Sequence, residues 1–314
     1  MELSTDISRP IAQPAKPSRV RTWLNGESLL ALAFILPSLI GFAVFFAIPA
    51  VRGILISFTE WNMLSAPKYV GLENYTELLT DTKFHQSLLT TLSYVLFNIP
   101  LQTVLAVIIA VLIDRLHNST WLRGIMVLPW LIPNVIVALL WLWILDPTLG
   151  VMNSFLGIVG IERQPFLGSP DQALPMIAVI NIWRHTGYTA LLIFAGLKTI
   201  PRTLYEAAAI DGATEFQIFM RVTLPLLRPV LTFVLVTSVI GSFQIFDTIA
   251  ITTDGGPVNA TRVILWYIYE FAFVRFEMGY AAAIAAVLFL ILITITIIQF
   301  RFLRGSQADV ADYT

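Results

Sequence analysis

An all-α protein that crosses a membrane six times is what three features of this 314-residue sequence predict. Hydrophobic residues make up 57% of it and charged residues 12%, about half the charged share of an ordinary soluble domain. Mean hydropathy is +0.79, too high for a chain that must cover a globule with polar surface. Six apolar stretches come close to or exceed the roughly 20 residues a helix needs to cross the hydrocarbon core. Cysteine is absent, which excludes disulfide frameworks and thiolate metal sites, and the three histidines, His85, His117 and His185, are scattered. A net charge of −1 without a basic cluster gives no reason to expect a nucleic-acid partner.

Residues 1–27, with Pro10, Pro14 and Pro17, read as a disordered tail, and 28–304 as the membrane domain. The first span, 28–51, is uncharged and too long for a signal-peptide core of about 7–15 residues, so it is expected to stay in the mature chain. Spans two and three, 87–113 and 124–145, are also uncharged; span four, 172–197, holds only Arg184. Span five, 229–247, is free of charge up to Asp247, and span six covers 278–300, followed by a short tail at 305–314. Six spans place both termini on one side. Twelve Lys and Arg residues fall on that side against six on the other, which assigns both termini and loop 198–228 to the cytoplasm. Prolines 129 and 133 bracket Trp130 in span three. They predict either a simple kink or an opening of the span around a polar cavity, since freed carbonyls in lipid must find other donors.

Loop 198–228 is the polar exception, and it predicts two short helices. Thr203 with Glu206, and Thr214 with Gln217, have the spacing of capping boxes. Gly212 stands where a left-handed residue would end the first helix. Pro225 and Pro229 are expected to stop the second helix and start the next span. Ala207 and Ala208 make a smooth wall beside Glu206, and Phe216, Phe219 and Met220 form an apolar face. Such a surface suits docking against another protein; alternatively Glu206 only caps its own helix.

The order Glu206-Ala207-Ala208, Asp211-Gly212-Ala213 and Leu224-Pro225 resembles the EAA loop of the membrane-spanning permease subunits of ABC importers. Similarity to the maltose-type carbohydrate permeases extends to GLENY at 71–75, Leu128-Pro129, GLKTIP at 196–201, and DGGP at 254–257 followed by Thr261. It covers the chain from span one to span six. The resemblance implies a bacterial inner-membrane subunit whose loop docks in a cleft of a cytoplasmic ABC ATPase dimer, where ATP and magnesium would be held. It further implies a second permease subunit and an external solute-binding protein.

The chain lacks a phosphate-cradling G-x-x-x-x-G-K-[ST] motif, so it binds no ATP in that manner itself. No nucleophile–base arrangement suggests an enzyme. An ion-coupled carrier is the rival class, but Asp247 is the sole acidic residue within the six spans, poor equipment for a proton relay.

An arginine within a span is costly unless paired or wet, which makes Arg184 either a pocket residue or an inter-helix ion-pair member. Helical spacing groups Trp130 with Asn134, Asn181 with Arg184 and His185, and Ser238 with Gly241, Ser242 and Ile245. Polar groups and an aromatic face at similar depth suit a sugar. The family resemblance implies that these nine positions line the solute pathway. The Arg184–His185 pair keeps open an anionic solute, such as an acidic sugar derivative or a glycerol-phosphate.

Overall fold

The computed structural model describes residues 26–116 and 120–304. The tails expected at 1–27 and 305–314 lie outside the described residues, apart from Gly26 and Glu27. Two compact units divide the chain, residues 1–53 and 54–314. In the first, α1 (Gly26–Phe42) passes through a π-helical turn, Ala43–Ala47, into α2 (Ile48–Ile56).

The second unit begins within the last turn of α2 and continues with a small antiparallel hairpin, β1 (Thr59–Glu60) and β2 (Lys68–Tyr69), followed by α3 (Glu73–Thr80). The long α4 (Thr82–Leu116) comes next, then α5 (Thr120–Leu131) and α6 (Asn134–Ile144). The short α7 (Val151–Ile158) leads to α8 (Pro170–Leu197). Beyond it lie α9 (Arg202–Ile210), α10 (Glu215–Ile218) and α11 (Leu224–Leu226). The chain finishes with α12 (Arg228–Phe243), α13 (Asp247–Thr252), α14 (Ile264–Tyr269) and α15 (Met278–Arg304).

Among the described residues, four helices are long and apolar enough to cross a membrane: Leu30–Ile56, Thr82–Arg115, Arg228–Thr252 and Met278–Phe302. A fifth is the pair α5 and α6 if counted as one span; the two meet at 91°. The stretch read as span three, 124–145, is therefore sharply bent, the opening that its bracketing prolines left as one of two alternatives. Pro133 has no N–H to continue the α5 ladder, and it sits extended at φ −55°, ψ 141°. Helix α8 has 28 residues but falls outside the apolar set. Half of it is buried, 14 residues, and a helix shielded by protein can carry Asn181, Arg184 and Thr189 where a lipid-facing one could not.

Two apolar cores hold the second unit. One joins α4, α8 and α12 toward loop 198–228: Ala106, Ala110 and Ala190 are fully buried, and small residues at these crossings let backbones approach closely. The other packs α14 and α15 on α4, α6 and α8 at the opposite end. Two helices approach closely at Gly187, where a Cβ would stand 1.8 Å from the carbonyl oxygen of Met126 on α5. No side chain fits there.

At the end away from loop 198–228, Asp81 ties three elements together. Its Oδ2 accepts from the hydroxyls of Tyr267 on α14 and Tyr280 on α15. Burial pushes the Asp81 carboxyl up, but these bonds and the backbone N–H of Lys83 outweigh it, so the net shift is downward.

Candidate functional site

The break between α5 and α6 leaves carbonyls at the end of α5 without helical donors. Arg184 supplies them: Nη2 donates to the carbonyls of Trp130 at 3.2 Å and Ile132 at 3.0 Å. In lipid an unsatisfied carbonyl costs several kcal/mol, so a guanidinium with five fixed donors suits the job. Its Nη1 lies 3.1 Å from His185 Nε2. Because arginine only donates, Nε2 must accept, and the ring is neutral with its proton on Nδ1. That proton goes to the carbonyl of Asn181, 3.1 Å away.

Beside this support lies a cavity of about 240 Å³. Helices α5 and α6 contribute Trp130 and Asn134, and α8 contributes Asn181, His185, Tyr188 and Thr189. From α12 come Ser238, Gly241 and Ser242, with Gln244, Ile245 and Asp247 following. Eight of the nine positions singled out in the sequence thus line one cavity; Arg184 stands behind it on the backbone. The Trp130 ring stacks on Tyr188 at 4.3 Å with 9° between planes. Asn134 donates from Nδ2 to Asp247 Oδ2 at 2.7 Å, closing the gap between the broken span and the start of α13. A Cβ on Gly241 would meet open space.

Sequence reasoning missed the wall supplied by α4. Asn98 donates to Ser242 Oγ at 3.1 Å, and Gln102 Nε2 to Thr189 Oγ1 at 3.0 Å. Both amides are nearly fully buried. Their signal was present: two amide side chains four apart in a span without a charged residue. Tyr188 was missed because a single tyrosine in a span looks like ordinary packing.

Loop 198–228 forms a separate site. Helix α9 starts after Pro201, not Thr203, and the capping box expected between Thr203 and Glu206 does not form. Pro201, at φ −61° and ψ 134°, sets the start itself, which places Glu206 in the middle of the helix with an exposed side chain. The helix ends as expected at Gly212, φ +77°, with the N–H of Ala213 on the carbonyl of Ala208 and that of Gly212 on Ala209. The second capping box is present: Thr214 Oγ1 accepts from the N–H of Gln217, and Gln217 Oε1 from that of Thr214.

Pro225 does not stop the chain. A π-helical turn, Phe219–Thr223, precedes it, and its wider pitch carries the backbone past the ring into α11 and α12. Ion pairs of 2.7 Å, Lys198 with Asp114 and Arg115 with Glu215, tie the region to the end of α4. Ile210 and Phe216 are largely exposed, at 86% and 71%.

A cavity with polar lining thus lies among apolar helices, apart from the short helix pair of loop 198–228. Residues 102–305 match the family described as the binding-protein-dependent transport system inner membrane component. The chain belongs to that family. It is a non-catalytic ABC-importer permease of several apolar helices, and the ATPase of such systems is a separate partner.

The permease is 38% identical over 284 residues to the probable ABC transporter permease protein YesP of Bacillus subtilis, covering 88% of this chain and 91% of that one. It is 33% identical to the trehalose/maltose transport system permease protein MalF of Thermococcus litoralis, over 88% of this chain and 94% of the relative. Among solved structures it resembles a subunit of a bacterial alginate ABC transporter in complex with its alginate pentasaccharide-bound periplasmic protein. That match has a TM-score of 0.77, 27% identity, and coverage of 91% of this chain and 98% of that one.

Proposed function

We propose that this permease forms part of the translocation pathway of an ATP-driven importer for a carbohydrate or related polyol, delivered by an external solute-binding protein. The observation that carries the reading is the cavity itself. Trp130 and Tyr188 offer a stacked aromatic platform for the C–H faces of a sugar ring, and amides and hydroxyls from four helices surround it. The relative in Thermococcus litoralis is named for trehalose and maltose, in keeping with this class.

The permease spans the membrane six times in this reading, with α5 and α6 as one broken span, α8 as the fourth, and both termini in the cytoplasm. Its domain runs from 28 to 304. A second permease subunit completes the pathway, and two ABC ATPase subunits, which hold ATP and magnesium, grip loop 198–228. The coupling surface is Glu206, Ala207 and Ala208 of α9, the turn Asp211-Gly212-Ala213, and Leu224-Pro225, where the π-helical turn joins the pair to span five. Closure of the ATPase dimer draws this surface inward and turns the cavity from one side to the other. Trp130, Asn134, Asn181, His185, Ser238, Gly241, Ser242 and Ile245 face the solute, and Arg184 holds the broken span open behind them.

Glu206→Ala tests this. The exposed carboxylate has no part in helix capping, so the variant should insert and assemble normally. It should lose at least about tenfold in uptake while ATP hydrolysis by the assembled importer becomes independent of the binding protein. Full, binding-protein-dependent uptake in this variant and in Gly212→Val counts against the coupling assignment.

A further inference from the structure

Neutral sugars and acidic polysaccharides are both carried by importers this permease resembles, as maltose/trehalose and alginate show. The charge of the cavity lining separates these classes. Arg184, the nearby cation, commits three of its donor contacts to Trp130, Ile132 and His185 and is absent from the lining, so its charge reaches Asp247 only through space. His185 accepts from Arg184 and is therefore neutral. Every other lining residue but one is uncharged. The exception is Asp247, whose Oδ2 takes the amide of Asn134. Its second oxygen has no hydrogen-bond partner among the described residues, and the side chain is exposed to the cavity.

We infer that Asp247 is a specificity-determining residue that admits neutral polyhydroxylated solutes and excludes anionic ones. A carboxylate with one oxygen fixed and one open accepts hydrogen bonds from a sugar hydroxyl, a charge-assisted contact stronger than a neutral one. The same oxygen repels a carboxylate or phosphate brought close to it. Asn134 is the positioning residue that aims it. The inference deepens the importer reading and rests on it, but its charge component can be measured without transport.

The chain has no cysteine, so Ser238→Cys places a single thiol in the cavity of the assembled importer. Rates of labelling by a cationic and an anionic methanethiosulfonate reagent of similar size are each normalised to a free thiol in solution. The cationic reagent should be favoured by about tenfold, the preference vanishing in Asp247→Asn and surviving in Asp247→Glu. Glucose in excess should slow labelling; glucuronate, the same ring with a carboxylate, should not, until Asp247→Asn removes the difference. A reagent ratio unchanged by Asp247→Asn, or protection by glucuronate equal to that by glucose in the parent, overturns the assignment. Failure of the importer reading shows up elsewhere, as uptake that does not depend on an ATPase.

Discussion

The caps and turn of residues 202–218 join positions no more than five apart, such as Ala213 to Ala208 and Thr214 to Gln217. The bonds that shape the cavity join positions 54, 87, 113 and 144 apart: Arg184 to Trp130, Gln102 to Thr189, Asn134 to Asp247, and Asn98 to Ser242. Under the proposed function, a surface handle is specified locally because its partner lies outside the chain, whereas a solute cavity must be held open from behind by groups that belong to other helices. The two regions should therefore respond oppositely to mutation, stability failing at the cavity supports and coupling failing at the handle.

The largest effect is expected at Gly187. Any Cβ there runs into the backbone of α5, which no rotamer change can relieve, so Gly187→Val should cost at least about 3 kcal/mol and yield little folded protein in detergent. Gly241→Ala is its counterpart, since a methyl there meets open space; its thermal unfolding should match the parent. Equal stability in both glycine variants would break the comparison.

Arg184→Met comes next. Two carbonyls at the end of α5 lose their donor, at about 1–3 kcal/mol each. Unfolding temperature should drop, and uptake of a neutral solute should fall in step with the yield of folded protein. Weaker uptake in a variant that keeps the parent's unfolding temperature would instead put the guanidinium in contact with solute.

Asp81 sharpens the contrast from the opposite end of the bundle. Its carboxyl is held below its ordinary 3.8, so its contribution to stability is complete above about pH 5 and is lost as pH falls through the lowered value. Thermal unfolding between about pH 6 and about pH 3 should show this loss in the parent and a flatter profile in Asp81→Asn. The smallest effect belongs to Thr214→Ala, which removes one cap and should cost about 1 kcal/mol or less, read by unfolding with uptake largely kept.

Much of the handle was legible beforehand because its signals are local. Gly212 adopts the left-handed conformation that its place after an alanine run implies, and Thr214 caps where its spacing with Gln217 says it should. The misreadings there share one cause. Proline 201 overrode Thr203 as the helix start, and a π-helical turn absorbed Pro225, because a ring that fixes one dihedral constrains its neighbours without dictating how they adapt.

Composition and hydropathy alone determined that this chain is helical and built for a membrane, and helical spacing placed eight of the nine singled-out positions on faces that line one cavity. Only the tertiary structure decided that span three breaks by 91°, that Arg184 serves its carbonyls, and that Asp247 is the charge left in the cavity. Periodicity reports which side of a helix is apolar. Which donor meets which acceptor depends on how helices distant in sequence cross, and that is settled by packing.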